Sequence, residues 1–120
     1  MSAVIHSNGL TDLVSRLEGF GADPLVEEHL LTFTVKALAG TLAGSEVRSG
    51  IGLDEAGSWP LIPPHWVHFP NFVEFLSTNA QPSSKDGWLK HSRNIVNWGD
   101  ALDPAQAWLS HVRAVLMDAK

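Results

Sequence analysis

Residues 59 to 70 read W-P-L-I-P-P-H-W-V-H-F-P, with prolines at 60, 63, 64 and 70. Proline fixes φ and donates no backbone hydrogen bond, so this span cannot be helical and its first half cannot lie inside a sheet. Whatever precedes it must be joined to whatever follows by a stiff, extended connection. The end of the span, "HWVHFP", has room for one short strand. Rigid scaffold leaving a sheet edge is a better description of it than a catalytic loop.

The segments on either side carry periodic signals. In "LTDLVSRLEG", Leu10, Leu13, Val14 and Leu17 recur at helical spacing, with Thr11 as a capping residue and Gly19 and Gly21 to stop the run. "LLTFTVKALAG" alternates, with Leu31, Phe33, Val35 and Ala37 on one face and Thr32, Thr34 and Lys36 on the other. That pattern predicts a strand with one buried face, ended by Gly40. Val47, Ser49, Ile51 and Leu53 repeat it as a partner strand, and Gly44 lies in the connection. Phe72, Val73, Phe75 and Leu76 fit a strand or one helical turn. "STNAQPSSKDG" has loop composition throughout and predicts a mobile flap. In "DPAQAWLSHVRAVLMDAK", Asp103 is an N-cap, Pro104 the first helical residue and Gln106 the capping-box partner. Ala105, Trp108, Leu109, Val112, Val115 and Leu116 then form one apolar face. Helices at both ends and an antiparallel strand meander between them predict an α+β fold, as one domain over residues 1–120.

Composition narrows the chemistry. The 120 residues contain no cysteine, which removes disulfides, thiolate metal sites and thioesters. A net charge of −5, with the eight lysines and arginines scattered, argues against an electrostatic hold on nucleic acid or anionic membrane. No apolar run reaches the ~20 residues of a membrane span. "MSAVIHSNGL" lacks the positive start and apolar core of a signal peptide, so a cytoplasmic protein is expected.

Six histidines invite a metal site, with His65 and His68 three apart and His91 and His111 elsewhere. On an extended strand the period of two sends His65 and His68 to opposite faces, and no paired ligand spacing occurs. Hydrogen-bonded histidines without a metal or other cofactor are therefore expected. Ser92 lies between His91 and Arg93, but adjacency in sequence is not the geometry of a catalytic triad, and no nucleophile-elbow motif surrounds it. The acidic residues available for proton transfer, Glu27, Glu28, Asp54, Glu55, Asp100 and Asp103, sit mostly in turn or cap contexts. Among the tryptophans, Trp108 belongs to a helix face, while Trp59 and Trp66 flank the prolines. Trp88 and Trp98 bracket "LKHSRNIVN", which marks that stretch as a candidate pocket.

The order of these features resembles the ubiquitin-conjugating enzyme superfamily. There a Y-P-x-x-P-P segment leads into the last strand of a meander, and a tryptophan and a proline precede a helix. Here W-P-L-I-P-P, Trp98 and Pro104 stand in that order. "HSRNIVNWGDALDPAQAWLSHVRAVL" is also similar to bacterial members from operons for ubiquitin-like proteins. The resemblance covers about residues 25 to 117 and implies a UBC/RWD-like fold. It further implies a place in a bacterial conjugation pathway, in the setting of antiviral defence. The implied partners are a ubiquitin-like protein, its activating enzyme and a JAB-type peptidase.

The departure from that family is chemical. Its members carry the modifier on a cysteine, because a thiolate both attacks and leaves well. Counting back from Trp98 by the family's usual interval lands on Lys90. The resemblance thus places the former thioester site at Lys90, His91, Ser92 and Arg93, with Trp88, Trp98 and Asp100 as surrounding binding residues. His91 is the acid–base candidate there, as the one nearby group expected to titrate near neutrality. Two explanations of the missing cysteine stay open: a natural non-catalytic variant, or a cysteine replaced by lysine. The alternatives are an interaction module of the same fold and, behind it, a small histidine-ligated metalloenzyme.

Overall fold

The computed structural model describes residues 8–75, 79–100 and 102–120. In chain order these form α1 (Asn8–Gly19), β1 (Leu25–Val26), β2 (Leu30–Lys36), β3 (Glu46–Gly52) and the single turn α2 (Leu53–Ala56). They continue with β4 (Trp66–Pro70), β5 (Ala80–Pro82), β6 (Trp88–Ser92), a 3₁₀ turn (Trp98–Asp100) and α3 (Pro104–Met117). The fold is α+β. One antiparallel sheet of six strands runs in the order β1-β2-β3-β4-β6-β5, with a helix at either end of the chain.

Strands β2, β3 and β4 are the expected meander, and β1, a two-residue strand paired with β2, was not among the predicted elements. Register is set by alternation: Leu31, Phe33 and Val35 of β2 face Ile51, Ser49 and Val47 of β3 on one side of the sheet. Val67 and Phe69 continue that side into β4. These side chains join Leu13 and Leu17 of α1 and Trp108, Leu109, Val112 and Leu116 of α3 in one core. Both helices thus bury their apolar stripes on the same sheet face, which is what their spacing called for.

The helix ends are chemically explicit. α1 closes in a Schellman arrangement: Ala22 N–H donates to Leu17 O (3.0 Å) and Gly21 N–H to Glu18 O (3.0 Å), with Gly21 at φ +73°. Thr11, expected as its cap, lies inside the helix, which begins at Asn8. At α3 the Asp103 carboxylate accepts from Ala105 N–H (3.1 Å) and Gln106 N–H (3.3 Å), and Pro104 needs no partner.

The proline-rich connection is clamped as scaffold. Trp59 is buried and donates its indole N–H to Asp12 of α1 (3.2 Å). Trp98 meets Trp59 edge to face at 5.3 Å and donates its own N–H to Pro60 O (2.7 Å). Two indoles therefore tie residues 59 and 60 to α1 on one side and to the 3₁₀ turn on the other.

Two expectations fail after β4. "STNAQPSSKDG" is not loop throughout, because Ala80, Gln81 and Pro82 form the edge strand opposite His91, Lys90 and Leu89. Ser92 N–H donates to Asn79 O and Ser83 N–H to Trp88 O, both 3.1 Å. Alternation then turns the Pro82 nitrogen away from β6, where its missing N–H costs the ladder nothing. Ser77 and Thr78 lie outside the described residues. Nor do residues 72 to 75 make a strand or helical turn. They follow the turn at Asn71, and Phe75 forms an isolated bridge with Ala119; Leu76 again lies outside the described residues.

Replacing Asp103 by alanine removes both cap bonds and is expected to cost about 1 kcal/mol, whereas asparagine keeps most of it. Urea unfolding measures both. Equal midpoints for Asp103→Ala and the parent protein would contradict the cap.

Candidate functional site

The pairing of β4 with β6 sorts the sequence-predicted site residues. Trp66 stands opposite Ser92, Val67 opposite His91, His68 opposite Lys90 and Pro70 opposite Trp88. Directly opposed residues share a sheet face, so Trp88, Lys90 and Ser92 project to the side away from the helices. His91 projects into the core, is 1% exposed and packs edge to face on Phe75 at 4.8 Å. Burial, with a smaller contribution from Arg93, pushes its imidazole down to about 4. His91 is therefore neutral at physiological pH, which corrects its expected titration near neutrality. Arg93 lies just past the strand, with its guanidinium 4.9 Å from the Phe75 ring and bonded to Ser92 O (2.9 Å). Trp98 and Asp100 belong to the 3₁₀ turn beside the prolines, and Asp100 is exposed. Of the seven expected residues, the sheet brings Trp88, Lys90 and Ser92 to one face and separates the other four from them.

That outer face holds a cleft of about 590 Å³ lined by Trp66, His68 and Lys90 together with Gly52, Asp54 and Glu28. Its floor exists because β3 carries glycine where a side chain would otherwise stand. Gly50 pairs with His68, and a methyl at Gly52 would collide with Asp54 Oδ1 and come within 3.8 Å of His68 Nε2. Lys90 Nζ sits 4.7 Å from the Trp66 ring centre, a cation–π distance. The cleft wall formed by α2 is fastened to β4 by Glu55, whose carboxylate accepts from His65 N–H (2.7 Å) and Trp66 N–H (3.3 Å).

Turns from opposite ends of the sheet meet over this face. Lys85, in the β5–β6 turn, bonds Glu27, in the β1–β2 turn, at 2.8 Å. The Lys85 bond holds the Glu27 carboxyl below its ordinary range, and a bond from Thr32 (3.1 Å) adds to it. Beneath this clasp His68 is only 4% exposed, and its Nδ1 lies 2.8 Å from Ser83 Oγ. Burial first and the Lys90 ammonium second push His68 down to about 4, against an opposing pull from Asp54. At neutral pH it is an uncharged imidazole held in one orientation by Ser83.

At the end of β6 Ser92 Oγ lies 2.6 Å from His65 Nε2. The His65 ring also stands perpendicular to Trp66, 5.3 Å between centres, and Arg93 N–H donates to His65 O (3.1 Å). The residues that sequence reading left out of the site are thus His65, Trp66, His68 and Asp54. The spacing of His65 and His68 was visible, yet their partners Ser92 and Ser83 lie 27 and 15 positions away. Only the strand register reveals them. Among the described residues no group of three or more His, Cys, Asp or Glu is placed to hold a metal ion. No described helix is long and apolar enough to cross a membrane.

Stability should depend on pH through the buried imidazoles. His68, His91 and His111 are all lowered from the ordinary value of 6.5, each chiefly by burial. The unfolded chain therefore binds more protons below about 6.5, and stability falls as pH drops from there toward about 4, where folded His68 and His91 protonate. Urea midpoints should decline across that window, and less steeply in His68→Gln. A midpoint constant between pH 7 and 4.5 would contradict the burial. In comparisons with known proteins, no family model, curated protein or solved structure matches this chain.

Proposed function

We propose that this chain is a ubiquitin-conjugating-enzyme-like component of a bacterial ubiquitin-like modification pathway. It works by binding the modifier and its activating enzyme and has no thioester of its own. What carries the reading is the order of parts. A terminal helix precedes the meander, W-P-L-I-P-P enters β4, and Trp98 and Pro104 lead into α3. That order is the one the resemblance to the UBC/RWD-like fold rests on. The clamp of Trp59 and Trp98 on the proline segment gives those shared residues a common structural purpose.

In this reading the outer sheet face around Lys90 is the surface that meets the modifier. Lys90 lies inside strand β6, paired with His68 of β4 on one side and Gln81 of β5 on the other. An amine cannot carry a thioester. At most it accepts an acyl group as a stable amide, which ends transfer rather than relaying it. A cytoplasmic binding role, upstream of a JAB-type peptidase that would remove the modifier, follows from the same resemblance.

The test is incubation of the chain and of its Lys90→Cys variant with a bacterial activating enzyme, its ubiquitin-like protein and ATP. The expected result is an adduct on Lys90→Cys that a thiol reductant removes, together with measurable binding of the activating enzyme to the parent chain. Absence of both adduct and binding would remove the pathway reading.

A further inference from the structure

The geometry points to a second activity: Ser92 is a nucleophile, with His65 as its base, for acyl groups presented as esters or thioesters at the end of β6. This goes beyond the pathway reading and does not depend on it. In the linear chain Ser92 has only its sequence neighbours, but folding brings it a base from the bend that precedes β4. Ser92 Oγ and His65 Nε2 are 2.6 Å apart, within the distance a general base needs to accept the hydroxyl proton.

Both partners are held from several sides. Ser92 closes β6, opposite Trp66, and its backbone N–H donates to Asn79 O (3.1 Å). His65 is fixed through its backbone by Glu55 (2.7 Å) and Arg93 N–H (3.1 Å), and its ring stands against Trp66. Trp66, next to His65 and across from Ser92, lines the cleft. Lys90, two residues back on the same face, places an ammonium 4.7 Å from the ring of Trp66, the residue directly across from Ser92. That cation favours the negative charge an acyl oxygen develops during attack. The other hydroxyl–imidazole pair, Ser83 and His68, is less suited, since Ser83 Oγ already accepts Lys85 N–H (3.2 Å) and lies beneath the clasp.

The chemistry closes without a further reagent. Ser92 Oγ attacks the acyl carbon as its proton passes to His65 Nε2, and the bond to the leaving oxygen or sulfur breaks. The leaving group takes that proton, leaving an acyl ester on Ser92. Water then attacks the ester, again giving a proton to His65, and Oγ recovers it as the free acid departs.

The experiment treats the whole chain with a fluorophosphonate probe and follows hydrolysis of 4-nitrophenyl acetate alongside. Mass spectrometry should place the phosphonyl group on Ser92. Ser92→Ala should lose it, and His65→Gln should react about 100-fold more slowly, the scale of general-base assistance. Ser92→Cys, if folded to the same urea midpoint, should react with iodoacetamide faster than a cysteine placed at Lys90, and fall to that rate when His65→Gln is added. Labelling that misses Ser92, or an equal rate in His65→Gln, would overturn the assignment. The activating enzyme and modifier are not used, so failure here leaves the pathway reading standing, and failure there leaves this one.

Discussion

Everything proposed for the surface depends on one register, the antiparallel pairing of β4 with β6. With Trp66 opposite Ser92 and His68 opposite Lys90, every second residue of both strands faces away from the helices. A slip of one residue would bury Lys90 and expose His91, because the side-chain period of a strand is two. The register itself is pinned by what the inner face must bury. Val67 and Phe69 have no solvent exposure, and His91 is admitted among them as a neutral ring against Phe75. The core thus decides which residues are left for chemistry.

The outer face is built by subtraction. Among the described residues, α1 and α3 cover one side of the sheet and no helix of comparable length covers the other, yet Thr32 and His68 on that side are buried. Glycines at 50 and 52 remove side chains from the middle of β3, and the Glu27–Lys85 clasp draws two distant turns across the space they leave. Polar groups buried there need partners, and they have them: Thr32 bonds Glu27, Arg48 bonds Thr32 and Thr34, and His68 meets Ser83. An open cleft next to a small, satisfied polar interior suits binding of a polar or charged ligand better than an apolar one.

Sequence alone showed α3, whose cap and stripe are both local, and β2, whose alternation is uninterrupted; it showed β3 more weakly, and Leu53, expected to end that strand, opens α2. It showed the proline segment as scaffold, since proline's constraint is intrinsic to the residue. It did not show β5, because Pro82 and its serine neighbours have turn chemistry; only the outward direction of the Pro82 nitrogen makes the strand possible. The functional stretch "KHSR" was located as a segment, but the segment is not the site. Alternation divides it, and its partners come from positions 65, 66 and 68, where the two histidines were weighed as metal ligands and Trp66 as a flank of the prolines. Contacts between residues 27 apart are set by register and turn length, and neither can be read from composition.

The absence of cysteine from the 120 residues allows the register to be measured without background. Single cysteines placed at Lys90, His91 and Ser92, and at Val67 across from His91, can be timed against a thiol reagent under native conditions. The account predicts rapid labelling at 90 and 92 and strong protection at 91 and 67, lifted only when the protein is unfolded in urea. Labelling at 91 as fast as at its two neighbours would contradict the pairing of β4 with β6, and with it the cleft and the Ser92–His65 pair.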